Sequence, residues 1–176
     1  DWLYIASVFI ATRAMIVFIG ILATAIFPEA VPHQSFVLQP IGGRGNDFFT
    51  RLYARFDSGW YLGISHGYLL PSSGRPDWLA EWAFFPLYSL ILHPISLVLA
   101  ALHIPTNTDI LAGVIVSYVA LFVALAYLYR LVAAELSFAA ARRSIFYIAI
   151  FPASVFFSVV YPESLFLLLC VATFYH

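Results

Sequence analysis

Residues 2–27 form a mostly apolar run whose only charge is Arg13, closed by Pro28. A helix needs about 20 such residues to cross the hydrocarbon of a bilayer, where the backbone must satisfy its own hydrogen bonds. Three further segments approach that length: 84–102, interrupted by Pro86 and His93-Pro94; 110–132, flanked by Asp109 and carrying Arg130 near its end; and 144–160, with Pro152 inside it. Another run, 164–176, is cut by the end of the chain. The first run is too long for the apolar part of a signal peptide and no small-residue cleavage site follows it, so it reads as a retained span. Hydrophobic residues make up 63% of the chain and charged residues 10%, against about 25% charged in a soluble domain. No water-soluble core hides that much apolar surface. The expectation is an all-α polytopic membrane protein, 1–176 being one transmembrane domain whose main partner is the lipid bilayer. Because the chain opens on Asp1 and closes at His176 inside an apolar stretch, further residues are expected on both sides.

Lysine is absent, and eight arginines face nine acids. That near-neutral balance argues against nucleic acid, which favours a basic face. Cys170 stands alone, with no disulfide framework and no metal-ligand spacing, and reads as a small core residue. His33, His66, His93 and His103 likewise show no ligand spacing, so no metal site is expected.

Arginines mark cytoplasmic loops, and the linker 133–143, with Arg142, Arg143 and nearby Arg130, reads as one. Counting outward from it places Tyr161-Pro162-Glu163-Ser164 on the opposite, extracytoplasmic face. The long loop 28–83 shares that face only if 84–102 does not cross. The preferred reading makes 84–102 a re-entrant or interfacial segment, with 110–132, 144–160 and 164–176 as further spans.

The loop 28–83 holds nine of the 17 charged side chains, and a connection this long is usually functional or disordered. Its aromatic content argues against disorder. Between Asp47 and Tyr68, the residues Phe48, Leu52, Phe56 and Trp60 recur every four positions, which predicts one amphipathic helix lying along the membrane surface. Asp57 and Tyr61 are four apart on it, as are Arg51 and Arg55. A carboxylate, a phenol and a cationic pair would project near the interface, or the same residues would form no more than a solvated face.

The string Arg55-Phe56-Asp57-Ser58-Gly59-Trp60-Tyr61-Leu62-Gly63-Ile64, followed by His66-Gly67-Tyr68, resembles the R-[WF]-D-x-x-W-Y-L-x-I-A-x-x-G-Y signature of PIG-V-type mannosyltransferases (GPI mannosyltransferase 2-like). Phe84-Phe85-Pro86-Leu87-Tyr88 is similar to that family's FFPLYP. Phe151-Pro152-Ala153-Ser154-Val155-Phe156-Phe157-Ser158, then Tyr161-Pro162-Glu163-Ser164-Leu165-Phe166, is similar to its FP-x-S-x-FFS and Y-x-ESLF. The blocks come in family order and cover about the N-terminal half of a family member. Ser89 replaces a proline and Ser65 an alanine.

The resemblance implies a C-type glycosyltransferase (GT-C) arrangement of helices, with a long first extracytoplasmic loop carrying interfacial helices. It implies an enzyme that moves mannose from a polyprenyl-phosphate donor to a glycolipid or protein hydroxyl with inversion. The active face would be extracytoplasmic, in a bacterial cell membrane or at the ER lumen. By the family pattern Asp57 would be the base, and Arg55 beside it would keep it ionised. Arg51, Arg55 and Arg13 are candidates to hold the leaving phosphate. An unpaired mid-span arginine costs ~2.5–3.5 kcal/mol, so Arg13 needs a polar partner, which a structural pairing with Glu163 would equally supply. Glu81 and Glu163 flank apolar runs on the outer side, and Tyr161 precedes Glu163 in its block. Trp60, Tyr61 and Tyr68 would stack on a sugar or anchor the helix in the aromatic belt. A monophosphate leaving group implies no obligatory cation or other cofactor. Two other classes fit the composition: a non-catalytic subunit of a membrane complex, and a transporter, for which Arg13 and Pro152 would be the mid-membrane charge and helix break.

Overall fold

The computed structural model describes residues 1–26, 48–54, 57–67 and 83–176. Its elements are α1 (Trp2–Ile26), α2 (Phe48–Tyr53), α3 (Ser58–Ile64), α4 (Leu87–Ala101), α5 (Thr108–Glu135), α6 (Phe138–Ile150), a 3-10 segment (Pro152–Phe157) and α7 (Glu163–Tyr175). No strand occurs among the described residues. Among the same residues two helices, α1 and α5, are long and apolar enough to cross a membrane.

The long helix α5 is the post on which the others pack. It contains no proline, and its start is set by Asn107, whose side-chain oxygen accepts from the Asp109 and Ile110 amides, both at 3.1 Å. That cap, with Asp109 in the first turn, satisfies orphan donors at the positive end of the helix. Two apolar clusters sit along α5. Toward its C-terminal end, Leu121, Leu125, Ala126 and Tyr129 pack with Ile5 and Val8 of α1 and Ala141, Ile145 and Ala149 of α6. Toward its N-terminal end, Ile110, Ala112, Val114 and Val116 pack with Ala54, Leu62, Tyr88, Leu92 and Val160. By contrast, α1 leaves Leu3, Ile10, Phe18, Ile19 and Leu22 exposed, an apolar face far larger than a soluble monomer shows.

Helix boundaries differ from the sequence reading in two places. Arg142 and Arg143, assigned to a linker, lie in α6. That helix begins right after Ser137, whose hydroxyl accepts from the Ala140 amide at 3.1 Å, and the alanine-rich turn that follows favours helix. The run 144–160 is not one helix. Phe151 is extended, as a residue preceding proline tends to be, α6 ends at Ile150, and Pro152 opens the 3-10 segment.

Arg13 repairs that break. It is 3% exposed. Its guanidinium donates to the Ser154 carbonyl and the Ser158 hydroxyl at 2.8 Å each, and to the Ala149 carbonyl. Both carbonyls lie at the break around Pro152, the Ala149 carbonyl also accepting from the Ser154 hydroxyl at 2.9 Å, and a hydrogen bond from a charged donor contributes ~1.5–3 kcal/mol. Arg13 thus ties α1 to the bend between α6 and α7.

Helix α4 runs antiparallel to the N-terminal third of α5 and no further. Tyr88 donates to the Gly113 carbonyl at 2.8 Å, and Ser96 bonds Thr108 at 3.1 Å and the Asp109 carboxylate. Gly113 admits this packing because it lacks a Cβ. A methyl there would lie 2.8 and 3.0 Å from the Val160 methyls and 3.1 Å from Leu92. Val160 is β-branched and fully buried, so it has little room to turn away. Gly113→Ala is therefore expected to destabilise the protein by ~1–3 kcal/mol, the usual range for overpacking. A lower unfolding midpoint in detergent would register the loss.

Candidate functional site

The four-residue spacing across 47–68 predicts one helix, yet the described residues form two, α2 and α3, with Ala54 outside both and Asp57 at the N-cap of α3. The reason lies in a segment over a hundred positions later. In a continuous helix the Tyr53 carbonyl would accept from the Asp57 amide. Instead the Tyr53 carbonyl accepts from the Val160 amide at 3.0 Å, and the Asp57 amide donates to the Tyr161 hydroxyl at 2.7 Å. Residues 160–161 have taken both halves of the missing helical bond.

That insertion is held from behind by α5 and α4. The Ser117 hydroxyl lies 2.9 Å from the Val159 carbonyl and 3.2 Å from that of Tyr161, and 2.9 Å from the Tyr88 hydroxyl. Ser117 and Tyr88 are fully buried, and a buried polar network of this kind is rigid when its members are paired. On the other side Ser89 donates to the Tyr61 carbonyl at 2.8 Å, fastening α4 to α3. This is the position where the resembled motif carries proline, which has no hydroxyl to give.

The result is a polar cluster walled by aromatic rings. Asp57 is exposed, whereas Tyr161 is buried and Tyr61 and Glu163 are partly buried. The Tyr61 ring lies 6.1 Å from Tyr161, 5.6 Å from Tyr88 and 5.2 Å from Phe84. Trp60 stacks on Phe84 at 5.7 Å, and Phe156 lies 5.2 Å from Tyr161. Burial, then the Glu163 and Asp57 charges, push the Tyr61 phenol up to about 12. Burial and the same two carboxylates push Tyr161 up to about 12, against the pull of the Asp57 amide. Both phenols therefore stay protonated at ordinary pH and act as donors. Burial, reinforced by the Asp57 charge, also raises the Glu163 carboxyl above its ordinary value.

Of the residues singled out in the sequence, Asp57, Trp60, Tyr61, Tyr161 and Glu163 come together here. Arg51 is half-buried in the last turn of α2. Arg55, Tyr68 and Glu81 lie outside the described residues. Arg13 does not join the cluster, because its donors are taken up by the bend after α6, and Ser154 and Ser158, not Glu163, are its side-chain partners. Tyr88, Ser89 and Ser117 were not singled out. A serine in the middle of an apolar span, as Ser117 is, was the available signal. Among the described residues no group of three or more His, Cys, Asp or Glu is placed to hold a metal ion.

Two clefts of about 500 and 690 Å³ open at the other end of α5, lined by Asp1, Trp2, Arg130, Phe138, Arg142 and Arg143 among others. From Gly113 to Arg130 is roughly 25 Å along the helix at 1.5 Å per residue. Those clefts have Arg142 paired with Asp1 at 3.3 Å and lying over Tyr4, and Arg130 over Trp2, but none of the aromatic and carboxylate groups gathered around Asp57. The chain matches no family model, no curated protein and no solved structure.

The Glu163 shift gives a pH test. A carboxyl whose folded value is raised contributes stability below its unfolded value, near 4.5, and loses it as pH rises through the folded value. Glu163→Gln should gain in melting temperature relative to the unsubstituted protein as pH rises above about 4.5. A constant gap would mean that Glu163 titrates alike in both states.

Proposed function

We propose that this chain is the N-terminal part of a PIG-V-type membrane-embedded inverting glycosyltransferase, which moves mannose from a polyprenyl-phosphate donor to an acceptor hydroxyl on the extracytoplasmic face. The observation that carries the reading is the hydrogen bond from the Asp57 amide to the Tyr161 hydroxyl. It joins two sequence blocks that each resemble the family and lie over a hundred residues apart. The residue assigned as base thereby sits beside the Tyr-Pro-Glu-Ser block and the aromatic rings gathered around it, faces on which a sugar ring would stack.

In the reaction, Asp57 takes the proton of the acceptor hydroxyl as that oxygen attacks the anomeric carbon. The bond from that carbon to the phosphate oxygen breaks, and the lipid monophosphate leaves with the electron pair. One bond forms on the face opposite the one that breaks, so the centre inverts. Geometry favours Asp57 over Glu163 as base, because Asp57 is exposed where an acceptor would approach. Arg51 and Arg55, six and two positions before it in the sequence, would meet the phosphate charge, for which a guanidinium fork is well matched. The chemistry calls on no obligatory metal, since a single phosphate leaves rather than a pyrophosphate.

The membrane reading follows from the same frame. The end of α5 that carries Arg130, with Arg142 and Arg143 nearby, would face the cytoplasm, and the Asp57 end the opposite side. Helix α4, confined to the N-terminal third of α5, would dip in without crossing, and α6 and α7 would belong to further spans of a multi-pass protein. The transporter alternative loses its main support, because Arg13 braces a bend instead of facing a pathway.

The full-length protein in membranes should transfer labelled mannose from polyprenyl-phosphate-mannose to lipid or protein. Asp57→Asn should lower that rate by roughly 10²–10⁴-fold, the usual worth of a general base. Transfer at the unsubstituted rate in that variant would remove Asp57 from the role.

A further inference from the structure

One carboxylate oxygen of Glu163, Oε2, is sealed from solvent and has no hydrogen-bond partner among the described residues. No arginine or histidine among them forms an ion pair with it. Buried polar atoms in folded proteins are nearly always paired, and an exception calls for a role. Here the acceptor is turned inward beside Asp57, at the head of α7, with no donor among the described residues to meet it.

Its surroundings narrow what the missing donor is. The Tyr161 oxygen already accepts from the Asp57 amide, so its own hydrogen remains to be given. The Tyr61 phenol lies across from it, ring to ring at 6.1 Å, and Phe84, Trp60 and Phe156 extend the wall. Together these supply a sheltered acceptor, phenol donors and flat apolar faces. A neutral ring bearing hydroxyls on its edge and C–H groups on its face matches all three, because each hydroxyl both donates and accepts while the face packs on aromatics. A phosphate would meet two carboxylates and is disfavoured there.

We infer that Glu163, with the hydroxyls of Tyr161 and Tyr61, is the specificity-determining contact for the transferred hexose, its sheltered oxygen accepting hydrogen bonds from ring hydroxyls while Asp57 acts at the acceptor. The inference rests on the glycosyltransferase reading. A site built to bond a hydroxyl rejects a ring that misplaces it, since its own buried group is then left unpaired. Glu163 therefore governs which hexose is accepted, and the lipid phosphate is held elsewhere.

The test uses the full-length protein in detergent or nanodiscs. Binding is measured for polyprenyl phosphate, polyprenyl-phosphate-mannose and polyprenyl-phosphate-glucose to the unsubstituted protein, Glu163→Gln and Glu163→Leu, with transfer kinetics alongside. The unsubstituted protein should bind the mannose-bearing lipid more tightly than the bare lipid phosphate. Glu163→Leu should keep its affinity for the bare lipid and lose that increment, roughly a 10–100-fold weakening, with Glu163→Gln between the two. KM for the donor should rise by more than kcat falls, and the preference for mannose over glucose should narrow.

Unchanged binding, KM and sugar preference in both variants, with transfer intact, would overturn the role of Glu163 and leave the transferase reading standing. An equal loss of bare-lipid binding would also overturn it, marking Glu163 as structural. If the unsubstituted protein neither binds nor transfers from any lipid-phosphate sugar, both readings fall together.

Discussion

The arrangement around Asp57 depends on one exchange of backbone partners. The Tyr53 carbonyl and the Asp57 amide would bond each other in a continuous helix, and each bonds the segment at 160–161 instead. Little is lost in hydrogen bonding, since two bonds replace one, but the geometry changes. Asp57 moves from mid-helix to the N-cap of a new helix, and its amide is tied to a segment over a hundred residues away. A carboxylate on an unbroken surface helix would face water and headgroups. The split one faces Tyr161 and Glu163.

The segment at 159–161 is irregular backbone beside an apolar core, so its polar groups need partners. Ser117 and Tyr88 meet the Val159 and Tyr161 carbonyls, and Gly113 leaves room for Val160 against α5. At the other end of the same bend, Arg13 meets the Ala149 and Ser154 carbonyls on either side of Pro152. A buried cation from α1 and a buried hydroxyl from α5 thus hold the connection between α6 and α7 from both sides. That rigidity would suit the proposed pairing of a base with a sugar-binding carboxylate, which needs a fixed separation.

Much of the frame was legible in the sequence. The runs 2–27 and 110–132 are found as α1 and α5, because length and hydropathy are local properties. The split of α2 from α3 was not legible, since periodicity sees only neighbours and the competing donors lie a hundred residues away. A charge in mid-run shows that Arg13 needs polar partners, but these are serine hydroxyls and main-chain carbonyls around Pro152 well over a hundred residues away, which side-chain spacing cannot reveal. Arg142 and Arg143 were taken to mark a loop by their charge, whereas the Ser137 cap and the alanines after it extend the helix over them. For the candidate site, the resembling blocks pointed to Asp57, Tyr161 and Glu163 one by one. Their meeting depends on Ser117 and Gly113, which lie in none of the resembling blocks, and on the Tyr88 hydroxyl, whose block gives no sign of its partners.

Hydrogen exchange at two amides tests the central claim most directly. Asp57 and Val160 amides should both exchange slowly in the native protein. In Tyr161→Phe, which removes only the phenol oxygen, the Asp57 amide should exchange faster while Val160, bonded to the Tyr53 carbonyl, stays protected. An Asp57 amide equally protected in both proteins would contradict the account, since that is the behaviour of an unbroken helix in which Asp57 bonds Tyr53.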